Sequence, residues 1–167
     1  MGLLSFVKSA GKKMFGSKEE EERIERELEQ KASAQRERLE ELKKARALEN
    51  RIAEMGLEIT DADIEVDGGT VTLKGQVGSQ EDSEKAALTA GNLEGIEAVD
   101  NQLEVENPEP EATFYTVVRG DTLSGIAKKQ YGKASKYMVI FEANRPMLED
   151  PDKIYPGQVL RIPPIEE

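Results

Sequence analysis

Alternating apolar and polar residues mark the centre of this chain. Residues 64–75 alternate on both sides of Asp67-Gly68-Gly69, a pattern typical of two antiparallel strands joined by a tight hairpin turn. Ser79 and Asp82 have the spacing of a capping box at the start of a helix. That helix has four apolar residues on one face: Ala86, Ala87, Ala90 and Leu93. Residues 98–105 alternate again, so strand, helix and strand predict a right-handed crossover, with the helix covering one face of a small mixed sheet.

The segment before this sheet is expected to be helical. In residues 1–16 apolar positions recur at helical spacing with lysines around them, which predicts a short amphipathic helix. Residues 17–46 are rich in strong helix formers, but Lys31 and Gln35 stand where a coiled coil needs apolar side chains. A long, charged spacer helix is therefore expected there. An apolar face returns in the last turns, which we expect to belong to the sheet domain: Leu48, Ile52 and Met55.

A second small domain is expected after a linker. Residues 107–113 are rich in proline and glutamate, which is the composition of a stiff, extended connection. Strand-like residues at 114–118 and 158–163 enclose two predicted helices. Asp121 is the expected cap of the first helix, and Ser135 is the expected cap of the second. The two helices are expected to end at Gly132 and Asn144.

The whole chain is therefore expected to have an α+β fold with five parts. They are a helix at 1–16, a charged spacer helix at 17–46, an α-β-β-α-β domain at 47–106, a linker at 107–113 and a β-α-α-β domain at 114–167. Neither domain is long enough to bury a large core.

Composition excludes several kinds of function. The chain has no cysteine and no histidine, so disulfides, thiolate zinc sites and Ser-His or Cys-His catalysis are excluded. The formal net charge of −11 argues against nucleic-acid binding, because no basic stripe offsets repulsion from phosphates. No stretch approaches the length that spans a bilayer, and the N-terminal apolar run is too short for a signal peptide. We expect a cytoplasmic monomer, and no enzyme, since two small domains leave little room for a catalytic pocket.

The C-terminal domain resembles LysM domains. The resemblance is carried by six motifs: Tyr115-Thr-Val117, Gly120-Asp-Thr-Leu123, Ile126-Ala127, Tyr131-Gly132, Ala143-Asn144 and Ile154–Pro163. It implies that glycans containing N-acetylglucosamine bind in a shallow groove between two loops. The residues at the matching positions are Gly120, Asp121, Thr122, Leu123, Asn144, Ile154 and Tyr155. Residues of these types also form caps and turns whatever the ligand, so both interpretations stay open.

Residues 47–106 resemble the BON domain, a helix–strand–strand–helix–strand module, through the hairpin, the capped helix and the turn Gly91-Asn-Leu-Glu-Gly-Ile96. The order of an amphipathic N-terminal segment, a BON domain, a proline-glutamate linker and a LysM domain resembles a family of bacterial cytoplasmic potassium-binding proteins. The similarity covers Met1–Phe15 and about Leu48–Pro163. Residues 17–46 depart from it, because they are longer and more charged than the expected connection.

This resemblance implies a potassium site made of main-chain carbonyl oxygens. The matching positions are Val7, Ala10 and Lys12 in the N-terminal segment, and Gly91, Leu93 and Ile96 in the turn. Carbonyl dipoles can replace the water around potassium, and helix C-termini supply unpaired carbonyls at the negative end of the helix dipole. Only the carbonyl of Lys12 is needed, so we expect its ammonium to point into solvent. Binding would order or compact the chain, as suits a sensor or a buffer in potassium and osmotic homeostasis.

Alternative interpretations remain open at this stage. Gly91 and Gly95 also fit ordinary helix capping and turn geometry. A structural protein could bind peptidoglycan through the LysM domain, and the N-terminal segment with the BON domain could contact a membrane surface or a protein partner. Three acidic residues are another set of candidate cation ligands, although their spacing is not that of an EF-hand: Asp61, Asp63 and Asp67.

Overall fold

The computed structural model describes residues 17–165, so the helix expected at 1–16 lies outside the described residues. The described elements are α1 Lys18–Glu54, β1 Thr60–Asp67, β2 Thr70–Ser79, α2 Gln80–Gly91, β3 Ala98–Asn107, β4 Thr113–Thr116, α3 Leu123–Tyr131, α4 Tyr137–Ala143 and β5 Val159–Ile162. This mixture of helices and strands confirms the α+β fold. The chain divides into two compact units, residues 1–40 and 41–167.

Helix α1 is continuous over 37 residues, which confirms the long charged helix. Residues 17–40, the described part of the first unit, are all exposed, including Ile24 at 49% and Leu28 at 60%. Oppositely charged side chains one turn apart, such as Lys31 and Glu27 at 3.0 Å, support the exposed helix. Near its C-terminal end the helix regains an apolar face, and Leu48 and Ile52 are buried there as expected.

The sheet domain, residues 41–107, has the strand order β1-β2-β3. β1 and β2 are antiparallel and are joined by the two-residue loop Gly68-Gly69, which confirms the hairpin. β3 runs parallel to β2, so α2 is the predicted crossover helix. The amide of Asp82 donates to the hydroxyl of Ser79 at 3.1 Å, which confirms the cap at the start of α2.

One apolar core holds the sheet domain together. The helical residues Leu48 and Ile52 pack with the strand residues Val71 and Leu73. Three residues predicted on the inner face of α2 belong to the same core: Ala86, Ala87 and Ala90. The periodic apolar positions of the sequence therefore meet in the structure as expected.

The C-terminal domain, residues 113–165, has a two-stranded antiparallel sheet of β4 and β5. Helices α3 and α4 supply most of its core, with Ile126 and Ile140 fully buried. Gly132 ends α3 in the left-handed conformation, with φ of 72°, and Asn144 is the cap at the end of α4. Both predicted helix ends are confirmed.

Two predicted N-caps in this domain are wrong. Thr122, rather than Asp121, caps α3, because the Thr122 hydroxyl accepts from the amide of Gly125 at 3.1 Å. The Asp121 carboxylate instead accepts from the amide of Val118 and closes the preceding loop. Ser135 lies within a short 3₁₀ helix, Ala134–Lys136, and α4 begins after it without a side-chain cap.

Candidate functional site

The turn between α2 and β3, residues 91–96, is called the elbow. α2 ends at Gly91, and the amide of the cap residue Asn92 donates to Leu88 at 3.1 Å. The amide of Leu93 donates to Ala90, and the amide of Ile96 donates to Leu93 at 3.2 Å. The elbow is therefore an ordered, hydrogen-bonded turn.

Several main-chain carbonyl oxygens of the elbow have lone pairs that could coordinate a cation. Within residues 17–165, the carbonyl oxygens of Gly91 and Ile96 accept no hydrogen bond. The carbonyl oxygen of Leu93 accepts one, from Ile96, and so keeps a second lone pair. Unpaired carbonyls at the end of a helix carry partial negative charge and favour a cation. The elbow thus has the donor type that a hard monovalent cation requires.

The side chains of Leu93 and Ile96 hold the elbow against the sheet domain. Both are partly buried and pack on the core that contains Leu48. Gly95 has φ of +79°, a conformation that residues with a Cβ rarely adopt. Apolar packing and this glycine fix the path of the elbow backbone.

Asn92 joins the elbow to the C-terminal domain, which lies in the same compact unit. Its Nδ2 donates to the carbonyl of Val159 at 3.0 Å, and its Oδ1 accepts from the amide of Val159 at 2.8 Å. Nδ2 also donates to Leu88 at 2.9 Å, within α2. A side-chain amide therefore pairs with the edge of β5 as a neighbouring strand would.

Asn144 covers the next position of the same strand edge. It is buried, its Oδ1 accepts from the amide of Arg161 at 2.7 Å and its Nδ2 donates to the carbonyl of Arg161 at 2.8 Å. Asn92 and Asn144 thus satisfy the outward backbone groups of alternate residues of β5. One amide comes from within the C-terminal domain and the other comes from the elbow.

A buried ion pair also connects the two domains. Nε of Arg161 in β5 donates to Oε2 of Glu84 in α2 at 2.6 Å, and both side chains are almost fully buried. The other oxygen of Glu84 accepts from the amide of Ala112 at 2.8 Å and from Gln80. The charge of Glu84 is therefore well compensated, as a buried charge must be. Nearby, a hydrogen bond from Lys85 lowers the pKa of Glu81.

Most LysM-type candidate residues have structural roles in this chain. Leu123 and Asn144 are buried, Ile154 packs on the core and Thr122 caps α3. Tyr155 is 54% exposed, and Gly120 is exposed on the loop before α3. Thr122 is exposed as well, so three candidate positions are exposed, and glycan binding stays a prediction.

Asp121 organises the loop that would form one side of the glycan groove. Its Oδ2 accepts from the hydroxyl of Tyr115 at 2.8 Å and from the amide of Val118 at 3.0 Å. Its Oδ1 lies 3.0 Å from Nζ of Lys129. The bond from Val118, together with those from Tyr115 and Lys129, lowers the pKa of Asp121, and the pKa of Lys129 is raised in return.

The remaining candidate ligands fall in two groups. Val7, Ala10 and Lys12 lie outside the described residues. The acidic alternative finds no support, because residues 17–165 contain no group of three or more acidic side chains placed to hold a metal ion. Asp63 instead lies 3.7 Å from Lys74 on the neighbouring strand.

Comparison with known proteins identifies both domains. The BON domain model matches residues 43–107 and the LysM domain model matches residues 115–163. The potassium binding protein Kbp of Escherichia coli O6:H1 is 42% identical over 166 residues, which cover 98% of this chain and 99% of that protein. The chain belongs to the Kbp family. In the part of this Kbp-family chain that the structure describes, no helix is long and apolar enough to cross a membrane.

Two partial matches carry less information. An uncharacterized protein of Deinococcus radiodurans is 35% identical over 112 residues, 60% of this chain and 44% of that protein. An esterase of Mycobacterium tuberculosis is 51% identical over only 53 residues, 32% of this chain and 11% of the esterase. So small a share of an esterase gives no reason to assign enzyme activity to a Kbp-family chain.

Sequence reasoning missed the contacts between the two domains. Glu84, Asn92 and Arg161 were not among the candidate residues, although they join the elbow and its helix to β5. The available signal was weak. Glu84 follows the capping box on a helix face that is otherwise apolar, and Arg161 stands inside an apolar strand.

Proposed function

We propose that this chain binds potassium through main-chain carbonyl oxygens, three of which belong to the elbow. They are the oxygens of Gly91, Leu93 and Ile96. The proposal is carried by one observation: among the described residues, two of these oxygens accept no hydrogen bond and the third accepts only one. Membership of the Kbp family supports the same ion, since the relative that spans the chain is a potassium binding protein.

The other half of the site is assigned to the N-terminal segment. The carbonyl oxygens of Val7, Ala10 and Lys12 would complete the coordination of the ion, with the Lys12 ammonium turned to solvent. Carbonyl ligands suit potassium because their dipoles replace its hydration shell without adding negative charge.

A site made from two distant segments couples binding to order. The ion binds the arrangement in which both segments are together, so it favours that arrangement by mass action. Compaction on binding suits a cytoplasmic sensor or buffer in potassium homeostasis and the response to osmotic stress. The function proposed is binding by a monomer, without catalysis.

Titration of the full-length chain with potassium tests this function. Isothermal calorimetry should show saturable binding of potassium chloride in a background of choline chloride, at constant ionic strength. Sodium chloride should give a weaker response, and small-angle scattering should show a decrease in the radius of gyration with potassium. Equal responses to both salts, or no saturable heat, would overturn the proposal.

A further inference from the structure

Lys44 lies beside the elbow. A methyl group built on Gly95 would be 3.1 Å from the Nζ atom of Lys44. Lys44 is half-buried on α1, one turn before Leu48, which shares an apolar core with Leu93 and Ile96. α1 therefore places a lysine ammonium against the turn that carries candidate carbonyl ligands.

No carboxylate of the described residues forms an ion pair with this ammonium. Across residues 17–165, Lys44 makes no hydrogen bond and no ion pair, and the acid of the elbow itself, Glu94, is exposed. Arg51, two turns further along α1, lines a cavity with Asn92 and Leu93. Two positively charged side chains of α1, Lys44 and Arg51, thus lie beside the elbow, and the cavity that Arg51 lines also contains Glu149 and Asp150.

The end of helix α2 explains why a cation is stable in this place. Its C-terminus carries partial negative charge, and the carbonyl oxygens of Gly91 and Ile96 accept no hydrogen bond from the described residues. An ammonium group and a potassium ion each carry one positive charge and are similar in size. The environment that suits one therefore suits the other.

We propose that Lys44 is an electrostatic brake on potassium binding. Its ammonium stands beside Gly95 of the elbow as a tethered positive charge and lowers the affinity of the elbow carbonyl oxygens for the free ion. The inference rests on the proposed function and deepens it, since it names the residue that sets the affinity. A weakened site releases its ion readily, which a sensor or a buffer requires.

Charge removal at Lys44 tests the brake. Lys44→Met keeps the apolar stem and removes the charge, whereas Lys44→Arg keeps the charge. Potassium affinity, measured by calorimetry in choline chloride, should rise about fivefold or more in Lys44→Met, because two unit charges about 4 Å apart repel by ~1 kcal/mol even in water. Lys44→Arg should remain close to wild type. Lys128→Met, at an exposed position of α3, removes the same charge elsewhere and should change little.

A second measurement does not depend on the ion. In potassium-free buffer, Lys44→Met should shift the amide resonances of residues 93–96 in a ¹⁵N–¹H spectrum, whereas Lys128→Met should leave them in place. Unchanged affinity in a folded Lys44→Met, or an equal rise in Lys128→Met, overturns the brake and leaves the proposed function intact. If wild type binds no potassium, the proposed function fails and the brake fails with it, whatever the amide resonances show.

Discussion

Nε of Arg161 lies 2.6 Å from Oε2 of Glu84, in a contact that joins the closing strand of the LysM domain to the crossover helix of the BON domain. Both side chains are nearly inaccessible to solvent, with exposures of 10% and 5%. This buried ion pair therefore gives the contact between the two domains a specific charged pairing. A LysM domain held in this way is a structural partner of the BON domain.

Loss of one partner of this ion pair should destabilise the chain strongly. Among the described residues, Glu84→Ala leaves the Arg161 charge with only the more exposed Glu81, at 3.8 Å, so we expect the free energy of unfolding to fall by about 3–5 kcal/mol. Glu27→Ala, at the exposed pair with Lys31, should cost less than about 1 kcal/mol. Urea unfolding followed by circular dichroism measures both. Equal losses would show that the buried pair has no special role.

Asn92 and Asn144 make similar contacts to β5, but their substitutions should have different effects. All four tyrosines lie between residues 115 and 155, so tyrosine fluorescence reports on the LysM domain alone. Asn144→Ala removes buried bonds within that domain and should lower its unfolding midpoint, because each unsatisfied buried group costs about 1–3 kcal/mol. Asn92→Ala should separate the fluorescence transition from the circular dichroism transition, since it loosens the contact between domains.

A single shared transition in Asn92→Ala would contradict this account of the interface.

The same variant should also affect ion binding at the elbow. Gly91 and Leu93 are the neighbours of Asn92 in the chain. The directions of their carbonyl groups therefore depend on the two hydrogen bonds between the Asn92 side chain and Val159. Weaker potassium binding by Asn92→Ala is therefore expected.

The elements of this fold were predictable because short-range patterns determine them. Alternation around Gly68-Gly69 specified the hairpin, and spacing of Ala86, Ala87 and Ala90 specified the buried face of α2. The sequence was less decisive at helix N-caps, because two adjacent polar residues can each serve as the cap. Asp121 precedes Thr122, and only the structure shows that Asp121 bonds Val118 while Thr122 caps the helix.

The docking of the two domains could not be predicted from such patterns. Glu84 and Arg161 are 77 positions apart, and the residues around each give no indication that the two side chains pair. The elbow itself was predicted from its two glycines and from the family resemblance. The position of Lys44 was not predicted, because α1 and the elbow meet through a shared apolar core that contains Leu48 and on which Leu93 and Ile96 pack.

Two glycines of the elbow should respond oppositely to alanine. Gly95 has φ of +79°, so Gly95→Ala should cost about 1–2 kcal/mol of stability. Gly91 is the last residue of α2, and a Cβ there would meet Val99 at an ordinary 3.6 Å. Gly91→Ala should therefore be neutral or stabilise the chain by up to about 1 kcal/mol. Thermal unfolding of the two variants measures the difference, and equal midpoints would contradict the assigned backbone conformations.

Asp121 should make the stability of the LysM domain depend on acid. Its folded pKa is lowered, chiefly by the amide of Val118, so its contribution is present above the unfolded value near 3.8 and is lost as pH falls through the folded pKa. Asp121→Asn should be less stable than wild type at neutral pH. The difference should shrink as the pH is lowered below about 4, as tyrosine-detected urea unfolding would show. A constant difference across this range would rule out the charge of Asp121 as its cause.

The position of the ion itself is the most direct test of the account. Crystals of the full-length chain grown in potassium and exchanged into thallium(I) would give an anomalous difference peak at each monovalent cation site. The account predicts one dominant peak bounded by the carbonyl oxygens of Gly91, Leu93 and Ile96. A dominant peak among acidic side chains, or no peak at the elbow in crystals that contain the ion, would contradict it.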